Sequence, residues 1–279
     1  MADHEVFEEP NFVLQKGAML PVARLTYKTV GALNAARDNA VLVPSWYTGT
    51  HNDTETYMLG ETRALDPRRY FIILTNLLAN GLSSSPSNTP APFERGRFPH
   101  VTIYDNVRLQ QLLLTRHLGI ERLRLVTGWS MGACQAYQWA AQFPDMVRAA
   151  CPIAGSARTA GFNQVFLLSL RRALELDPVF NEGFYDRPPV RGLRAFADSS
   201  VPKRGGSSAL AVGMPMWLSS GSRSSCAVML TTFFPNCGPG RQATLAVTQF
   251  SRAISKQRSG PSKLERSSCR RNWIAISPR

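Results

Sequence analysis

The sequence predicts an α/β domain whose mostly parallel sheet is covered by helices on both faces. Short apolar runs alternate with helical patterns through about residue 197, and turn residues separate them. The chain has 279 residues and is 44% apolar, so it can bury one large core without a second domain. We therefore predict a core over residues 1–197 and a tail over residues 198–279.

The strand predictions follow from apolar spacing. Residues 23–28 alternate apolar and polar side chains, which is typical of an edge strand, whereas residues 40–43 and 70–74 are continuous apolar runs that suit central strands. Residues 123–127 and 147–153 are the next strands expected along the chain.

The helix predictions rest on caps and breakers. Asp105 is the expected N-cap of a helix that continues to about residue 118 and is ended by Gly119. A second helix is predicted over residues 133–142. Residues 163–176 also have a helical pattern, and Asp-Pro at 177–178 stops it; we interpret residues from about 156 as the start of a helical lid.

Charge is concentrated at the end of the chain. Residues 198–279 hold 12 of the 32 Lys and Arg and two of the 19 acidic residues, so +10 of the net charge of +13 lies there. This tail has no nucleic-acid-binding motif and no regular aromatic spacing, which argues against a nucleic-acid partner. No apolar run reaches the roughly 20 residues of a membrane span, and no signal peptide is visible. We therefore expect no membrane partner and a cytoplasmic location.

The strongest motif is Gly128-Trp129-Ser130-Met131-Gly132, which lies between a predicted strand and a predicted helix. This setting predicts a nucleophile elbow, in which the two glycines allow close packing and the serine is the catalytic nucleophile of an α/β-hydrolase fold. The backbone N–H of Met131 would donate to an oxyanion. A second donor is expected from the loop after residue 44, with the Tyr47 N–H as candidate, although a plain solvated connection also fits that loop.

Further stretches give the chain a specific resemblance: it is similar to the homoserine O-acetyltransferase family over about residues 12–197. The matching stretches are residues 25–27 (Leu-Thr-Tyr), 31–34 (Gly-Ala-Leu-Asn), 39–43 (Asn-Ala-Val-Leu-Val), 48–49 (Thr-Gly), 84–87 (Ser-Ser-Pro-Ser), 99–105 (Pro-His-Val-Thr-Ile-Tyr-Asp), 128–132, 138–140 (Gln-Trp-Ala), 156–158 (Ser-Ala-Arg) and 171–178.

The resemblance implies a serine acyltransferase or hydrolase with small-molecule partners. Ser130 would take an acyl group from an acyl donor such as acetyl-CoA, as co-substrate, and pass it to an alcohol or to water. No bound cofactor and no metal are implied, and a homodimer is one option. The family's substrate-binding arginine is absent, because Ala197 stands at that position, and residues 45–47 (Ser-Trp-Tyr) differ from the usual His-Ala-Leu. The acceptor thus stays open between homoserine, another alcohol and water.

The histidines do not fit a catalytic triad. In this fold the acid and the histidine follow the serine, whereas His4, His51, His100 and His117 all precede Ser130. His51 is expected to be a solvated loop residue rather than a base. Without its base Ser130 is a weak nucleophile, so we predict an inactive or impaired enzyme.

The tail offers a reason for the missing histidine. Read from the third base of each codon, residues 228–236 can encode Asp-Ala-Asn-Asp-Leu-Leu-Ser-Gln, similar to a segment that follows the family's lid. Trp273 before Ile274 forces an aspartate codon, and residues 275–278 then permit Tyr-Phe-Pro. A frameshifted tail that replaces the C-terminal strands is therefore one hypothesis, and ordinary disorder is the other. A different class of function is a catalytically dead scaffold whose basic tail binds an acidic partner.

Overall fold

A computed structural model describes residues 3–47 and 49–200. Within them, six strands form one sheet in the order β1-β2-β4-β3-β5-β6. The strands from β3 onward are mutually parallel, and β1 and β2 add an antiparallel pair at one side. The strands are β1 Glu5–Val13, β2 Met19–Val30, β3 Ala40–Pro44, β4 Phe71–Thr75, β5 Leu125–Trp129 and β6 Ala150–Ile153. The predicted mostly parallel α/β sheet is confirmed.

Five α-helices connect or cover these strands in the described part of the chain. They are α1 His51–Met58, α2 Ile103–Leu112, α3 Met131–Gln142, α4 Gly161–Glu175 and α5 Val190–Ser200. Short helical turns occupy Arg95–Arg97, Leu113–His117 and Asn181–Gly183. No helix among the described residues has the length and apolar content needed to cross a membrane.

The central strands are buried on both faces. Every residue of β3 is buried, and alternate side chains enter different clusters, as the strand period of two requires. Leu42 and Ile73 belong to the cluster that contains Trp139 of α3. Val41 and Ile72 pack in a second cluster on the opposite face. This two-sided burial explains why the apolar runs at 40–43 and 70–74 predicted central strands correctly.

The edge-strand prediction was wrong. Residues 23–28 lie within β2, which pairs with β4 on one side and with β1 on the other. The outermost strand on this side of the described sheet is β1, which the sequence pattern missed because Pro10 and three glutamates obscure its alternation. Phe7 and Phe12 nevertheless point into the core. Proline and charge are tolerated on an edge, where one side of the strand makes no ladder bonds.

Helix α2 begins one turn earlier than predicted. Its N-cap is Thr102, and Asp105 is the third helical residue, which closes a capping box by accepting the Thr102 N–H at 2.8 Å. Asp105 also accepts the Gln15 N–H at 2.7 Å. Burial raises the pKa of the Asp105 carboxyl, against these hydrogen bonds. The α-helix itself ends at Leu112, and a π-helical turn continues it over Leu113–His117. Gly119, with a φ of +62°, follows the end of this helical stretch as predicted.

Helices α4 and α5 form a hairpin over residues 161–200, which we call the α4–α5 hairpin. Its small core consists of Leu170, Leu174, Phe180 and Phe196. The buried carboxylate of Asp177, between the helices, accepts the backbone N–H groups of Gly192 at 2.9 Å and Val179 at 3.0 Å. Helix α5 runs to Ser200, past the domain boundary expected at 197. The tail after it, with its predicted frameshift and missing strands, lies outside the described residues.

Candidate active site

Ser130 lies at the junction of β5 and α3. Its φ of 52° and ψ of −112° are strained for a residue that has a side chain, and such strain clusters at functional sites. The Ser130 N–H donates to the Ile153 carbonyl of β6 at 2.9 Å, which ties the turn to the neighbouring strand. The side chain is half-buried at the carboxyl end of the parallel strands.

Glycines make this turn sterically feasible. A Cβ on Gly128 would lie 2.6 Å from the Gly132 carbonyl carbon, and a Cβ on Gly132 would lie 2.5 Å from the Pro44 oxygen. The start of α3 therefore packs directly on the end of β3. Gly155 has a similar role, since a Cβ on it would lie 2.6 Å from the Ser130 backbone carbonyl oxygen. No motif in the sequence pointed to Gly155, because the contact joins the turn after β5 to the segment after β6.

Met131 and Tyr47 lie on different elements. Met131 is the first residue of α3, where a backbone N–H has no acceptor within the helix. Tyr47 follows β3, and its ring packs against both the main core and the core of the α4–α5 hairpin. The loop is shaped by the Gly49 N–H, which donates to the Trp46 carbonyl at 3.1 Å. Their roles as oxyanion donors stay predictions.

His51 is not the solvated loop residue that the sequence predicted. Its side chain is 1% exposed at the start of α1. The Asn76 side-chain amide donates to its Nδ1 at 2.9 Å, while Asn76 Oδ1 accepts the His51 backbone N–H. The proton therefore sits on Nε2, which contacts Asp3 at 3.2 Å. Both ring nitrogens have partners other than Ser130, so His51 is not placed as its base.

Asp3, His4 and His51 form a cluster that the sequence did not indicate. Their ligand atoms lie within 4.8 Å of one another, close enough to surround a metal ion. Because Nε2 of His51 carries the proton, it donates to Asp3 rather than presenting a lone pair. The Asn52 side chain, and then the two histidines, hold the pKa of the Asp3 carboxyl well below its usual range. These hydrogen bonds connect the N-terminal segment to the start of α1.

Cys134 is a second nucleophilic group near Ser130, one turn along α3. Its thiol points toward the backbone oxygens of Ser130, at 3.6 Å, and Ser156, at 3.4 Å. Burial raises the pKa of this thiol, so it stays protonated at neutral pH. A protonated thiol is a weak nucleophile, so Ser130 stays the candidate nucleophile of this site.

Comparisons with known proteins agree with this architecture. The family model described as alpha/beta hydrolase fold matches residues 41–198. Ethyl acetate hydrolase of Pseudomonas veronii is 46% identical over 172 residues, which cover 62% of this chain and 49% of that protein. Homoserine O-acetyltransferase of Chlorobium luteolum is 37% identical over 201 residues, which cover 69% of this chain and 55% of that protein. The chain thus spans about half the length of the curated relatives it matches.

A solved structure of an acetylester hydrolase from Corynebacterium glutamicum superposes with a TM-score of 0.73 and 34% identity, covering 82% of this chain and 72% of that one. The predicted resemblance to homoserine O-acetyltransferases is confirmed, and esterases match as well. Because the family model covers more than half of the chain, from β3 into α5, the chain belongs to the α/β-hydrolase fold family.

Proposed function

We propose that this chain carries out the acylation half of a serine ester hydrolase or acyltransferase, with Ser130 as the nucleophile. The observation that carries the proposal is the strained Ser130 conformation between β5 and α3. The Ser130 oxygen attacks the carbonyl carbon of an ester, and the carbonyl electron pair moves to its oxygen. The N–H groups of Met131 and Tyr47 stabilise that oxyanion. Collapse of the intermediate expels the alkoxide, which takes a proton from solvent and leaves as the alcohol, and Ser130 is left acylated.

The substrate class that we favour is a small acetyl ester. Ethyl acetate hydrolase is 46% identical to this chain, compared with 37% for a homoserine O-acetyltransferase. Ala197 and the Ser-Trp-Tyr sequence at 45–47 also depart from the homoserine-acetylating pattern. Transfer of an acetyl group from acetyl-CoA to homoserine or another alcohol is the alternative reaction of the same serine.

Turnover is expected to be impaired. No histidine follows Ser130 in the sequence, and His51 is held by Asn76 and Asp3. With no histidine after Ser130 in this sequence and with His51 held elsewhere, we expect the Ser130 proton to pass to solvent and water to attack the acyl-serine without a histidine base. In serine proteases that have lost a triad residue, the oxyanion donors and substrate binding alone still accelerate the reaction about 10³- to 10⁴-fold over water. Ser130 should thus be acetylated slowly and deacylated more slowly still.

The test is to incubate the chain with p-nitrophenyl acetate and to map acetylation by peptide mass spectrometry. We expect acetyl-Ser130 to accumulate with only trace steady-state release of p-nitrophenolate. Ser130→Ala should abolish that modification, whereas Ser156→Ala, which changes an exposed serine nearby, should not. Acetylation only at lysines or at other serines would refute the proposal.

Two further outcomes separate the alternatives. Rapid turnover that is lost in His51→Gln would show that His51 is the base after all. Faster acetylation by acetyl-CoA than by the ester, with product formed only when homoserine is added, would favour the transferase reaction.

The second candidate is a non-catalytic scaffold, which the +10 charge of residues 198–279 favours. It predicts binding to heparin or polyglutamate that weakens with salt and disappears when residues 201–279 are deleted. Such binding without any Ser130 acetylation would support the scaffold over the enzyme.

A further inference from the structure

Three buried side chains connect the helix that follows Ser130 to the loop that carries Tyr47. The Trp139 indole N–H donates to Gln110 Oε1 at 2.8 Å, and Gln110 Nε2 donates to Gln135 Oε1 at 2.6 Å. Gln135 Nε2 then donates to the backbone oxygen of Ser45 at 3.1 Å. All four residues are 0% exposed. We call this chain of hydrogen bonds the amide relay.

The direction of the amide relay is fixed by chemistry. An indole nitrogen can only donate, so Gln110 must turn its oxygen toward Trp139 and its NH₂ toward Gln135. Gln135 must in turn accept with its oxygen and donate with its NH₂. The consequence is a directed hydrogen bond from α3 to the Ser45 carbonyl, in a place where water does not compete.

Ser45 is held almost wholly through its main chain. Its N–H donates to the Thr75 carbonyl of β4 at 2.9 Å, and its carbonyl accepts from Gln135. Among the described residues, the Ser45 hydroxyl has no hydrogen-bond partner. The loop therefore leaves the sheet at a point fixed by one strand and by α3, and Tyr47 lies two residues further on.

The hydrogen bond from Gln135 to Ser45 connects the two elements that carry the candidate oxyanion donors. Met131 begins α3, whereas Tyr47 lies on the loop after β3, and Gln135 reaches from the first element to the second. An oxyanion donor acts only within about 2.7–3.1 Å of the developing charge. A misplacement of about 1 Å can cost about a hundredfold in rate.

We propose that Gln135 is a positioning residue that sets the distance between the Met131 and Tyr47 N–H groups. The proposal rests on the function proposed above and adds a residue that does not touch the substrate. Gln135 differs from a general core residue because it donates to Ser45, in the loop that carries Tyr47.

The experiment compares Gln135→Met with Gln138→Met. Gln138 lies on the same helix, is half-buried and donates to Gln142 at 2.9 Å, so it is a control for the same substitution without the contact to the loop. The first readout is the rate of Ser130 acetylation by p-nitrophenyl acetate as a function of ester concentration. For Gln135→Met we expect the maximal rate to fall about 10- to 100-fold. The half-saturating concentration should change less than about twofold, and Gln138→Met should resemble the parent.

A second readout does not depend on chemistry. Hydrogen exchange followed by mass spectrometry should show faster exchange of the peptide covering residues 45–50 in Gln135→Met, with no change in β3 or in Gln138→Met. Loss of protection across the whole sheet in Gln135→Met would instead identify Gln135 as ordinary structural packing and overturn the proposal.

A third readout comes from Gln135→Glu. It remains informative even if Gln135→Met is too unstable to be measured. A protonated glutamate can donate to the Ser45 carbonyl, whereas an ionised one repels it. The acetylation rate of Gln135→Glu relative to the parent should therefore rise as the pH falls. A ratio that is independent of pH, or equal maximal rates in Gln135→Met and Gln138→Met, would refute the positioning role. Absence of acetyl-Ser130 in the parent would refute the proposed function instead, and the exchange of the loop peptide would then decide the role of Gln135.

Discussion

The sheet and the α4–α5 hairpin bury their apolar side chains very differently. Every residue of β3 is buried between two clusters, whereas α4 buries only Leu170 and Leu174. Phe162 of the same helix is 89% exposed, and Val165 is 63% exposed. The sheet is therefore fixed by packing on two sides, while the hairpin depends on a small cluster and on the Asp177 carboxylate. Opening of the hairpin should require less free energy than unfolding of the sheet.

The candidate active site lies where these two regions meet. Tyr47 packs on the core of the sheet and on the core of the hairpin at once. Ser130 and Met131, in contrast, belong to the β5–α3 turn, whose glycines pack on the sheet. The candidate nucleophile is thus on the rigid side of the site, and Tyr47, the candidate for the second oxyanion donor, is on the side that the hairpin influences.

The largest effect is expected from a truncation inside the sheet. Leu42→Ala removes a fully buried side chain of β3 and leaves a cavity between packed layers. It should lower the free energy of global unfolding by about 2–5 kcal/mol, measured by urea denaturation. A loss below about 1 kcal/mol would mean that the sheet is not packed as tightly as described.

The same truncation in the hairpin should act locally. Leu174→Ala also removes a fully buried leucine, but the surrounding cluster belongs to α4, α5 and the segment between them. We expect hydrogen exchange to accelerate over residues 161–200, while the exchange of β3 and β4 stays unchanged. Equal acceleration in both regions would remove the distinction between them.

Acid should also loosen the α4–α5 hairpin locally, as Leu174→Ala is expected to do. The hydrogen bond from the Gly192 N–H, and to a smaller extent that from the Val179 N–H, lowers the pKa of the Asp177 carboxyl below its ordinary value. Its contribution to stability is therefore complete above the unfolded pKa of about 3.9 and is lost as the pH falls through the lower folded pKa. Far-UV circular dichroism and hydrogen exchange of residues 161–200 should follow this loss.

Asp177→Asn is the matched variant for that titration. Its NH₂ group would face one of the two backbone N–H donors, so the hairpin should be loosened by about 1–3 kcal/mol even at neutral pH. The acid dependence over residues 161–200 should then largely disappear. Its persistence in the variant would assign the titration to another carboxyl group.

The smallest effect is expected on the exposed face of α4. Phe162→Ser changes a side chain that is 89% exposed, so the free energy of unfolding should change by less than about 0.5 kcal/mol. A larger loss would show that Phe162 is covered in solution, and light scattering of the parent and the variant would test whether a second copy covers it.

Prediction from the sequence succeeded where the signal was local. The runs at 40–43 and 70–74 became β3 and β4 because strands buried on both faces carry an uninterrupted apolar pattern. The sequence Gly-Trp-Ser-Met-Gly likewise specified a strand, a turn and a helix. Where charge interrupted the pattern, as in β1, the strand was missed, because its pairing with β2 compensates for a weak local signal.

The sequence by itself thus determined the α/β class, the central strands, the strained turn at Ser130 and the resemblance to acyl-transferring enzymes. The tertiary structure alone decided that His51 is buried and held by Asn76, that Asp105 closes a capping box, and that Gln135 reaches the Ser45 carbonyl. The physical reason is distance along the chain. Gln135 and Ser45 are separated by 90 residues. No local periodicity records a contact of that kind, which arises only when β3 and α3 pack together.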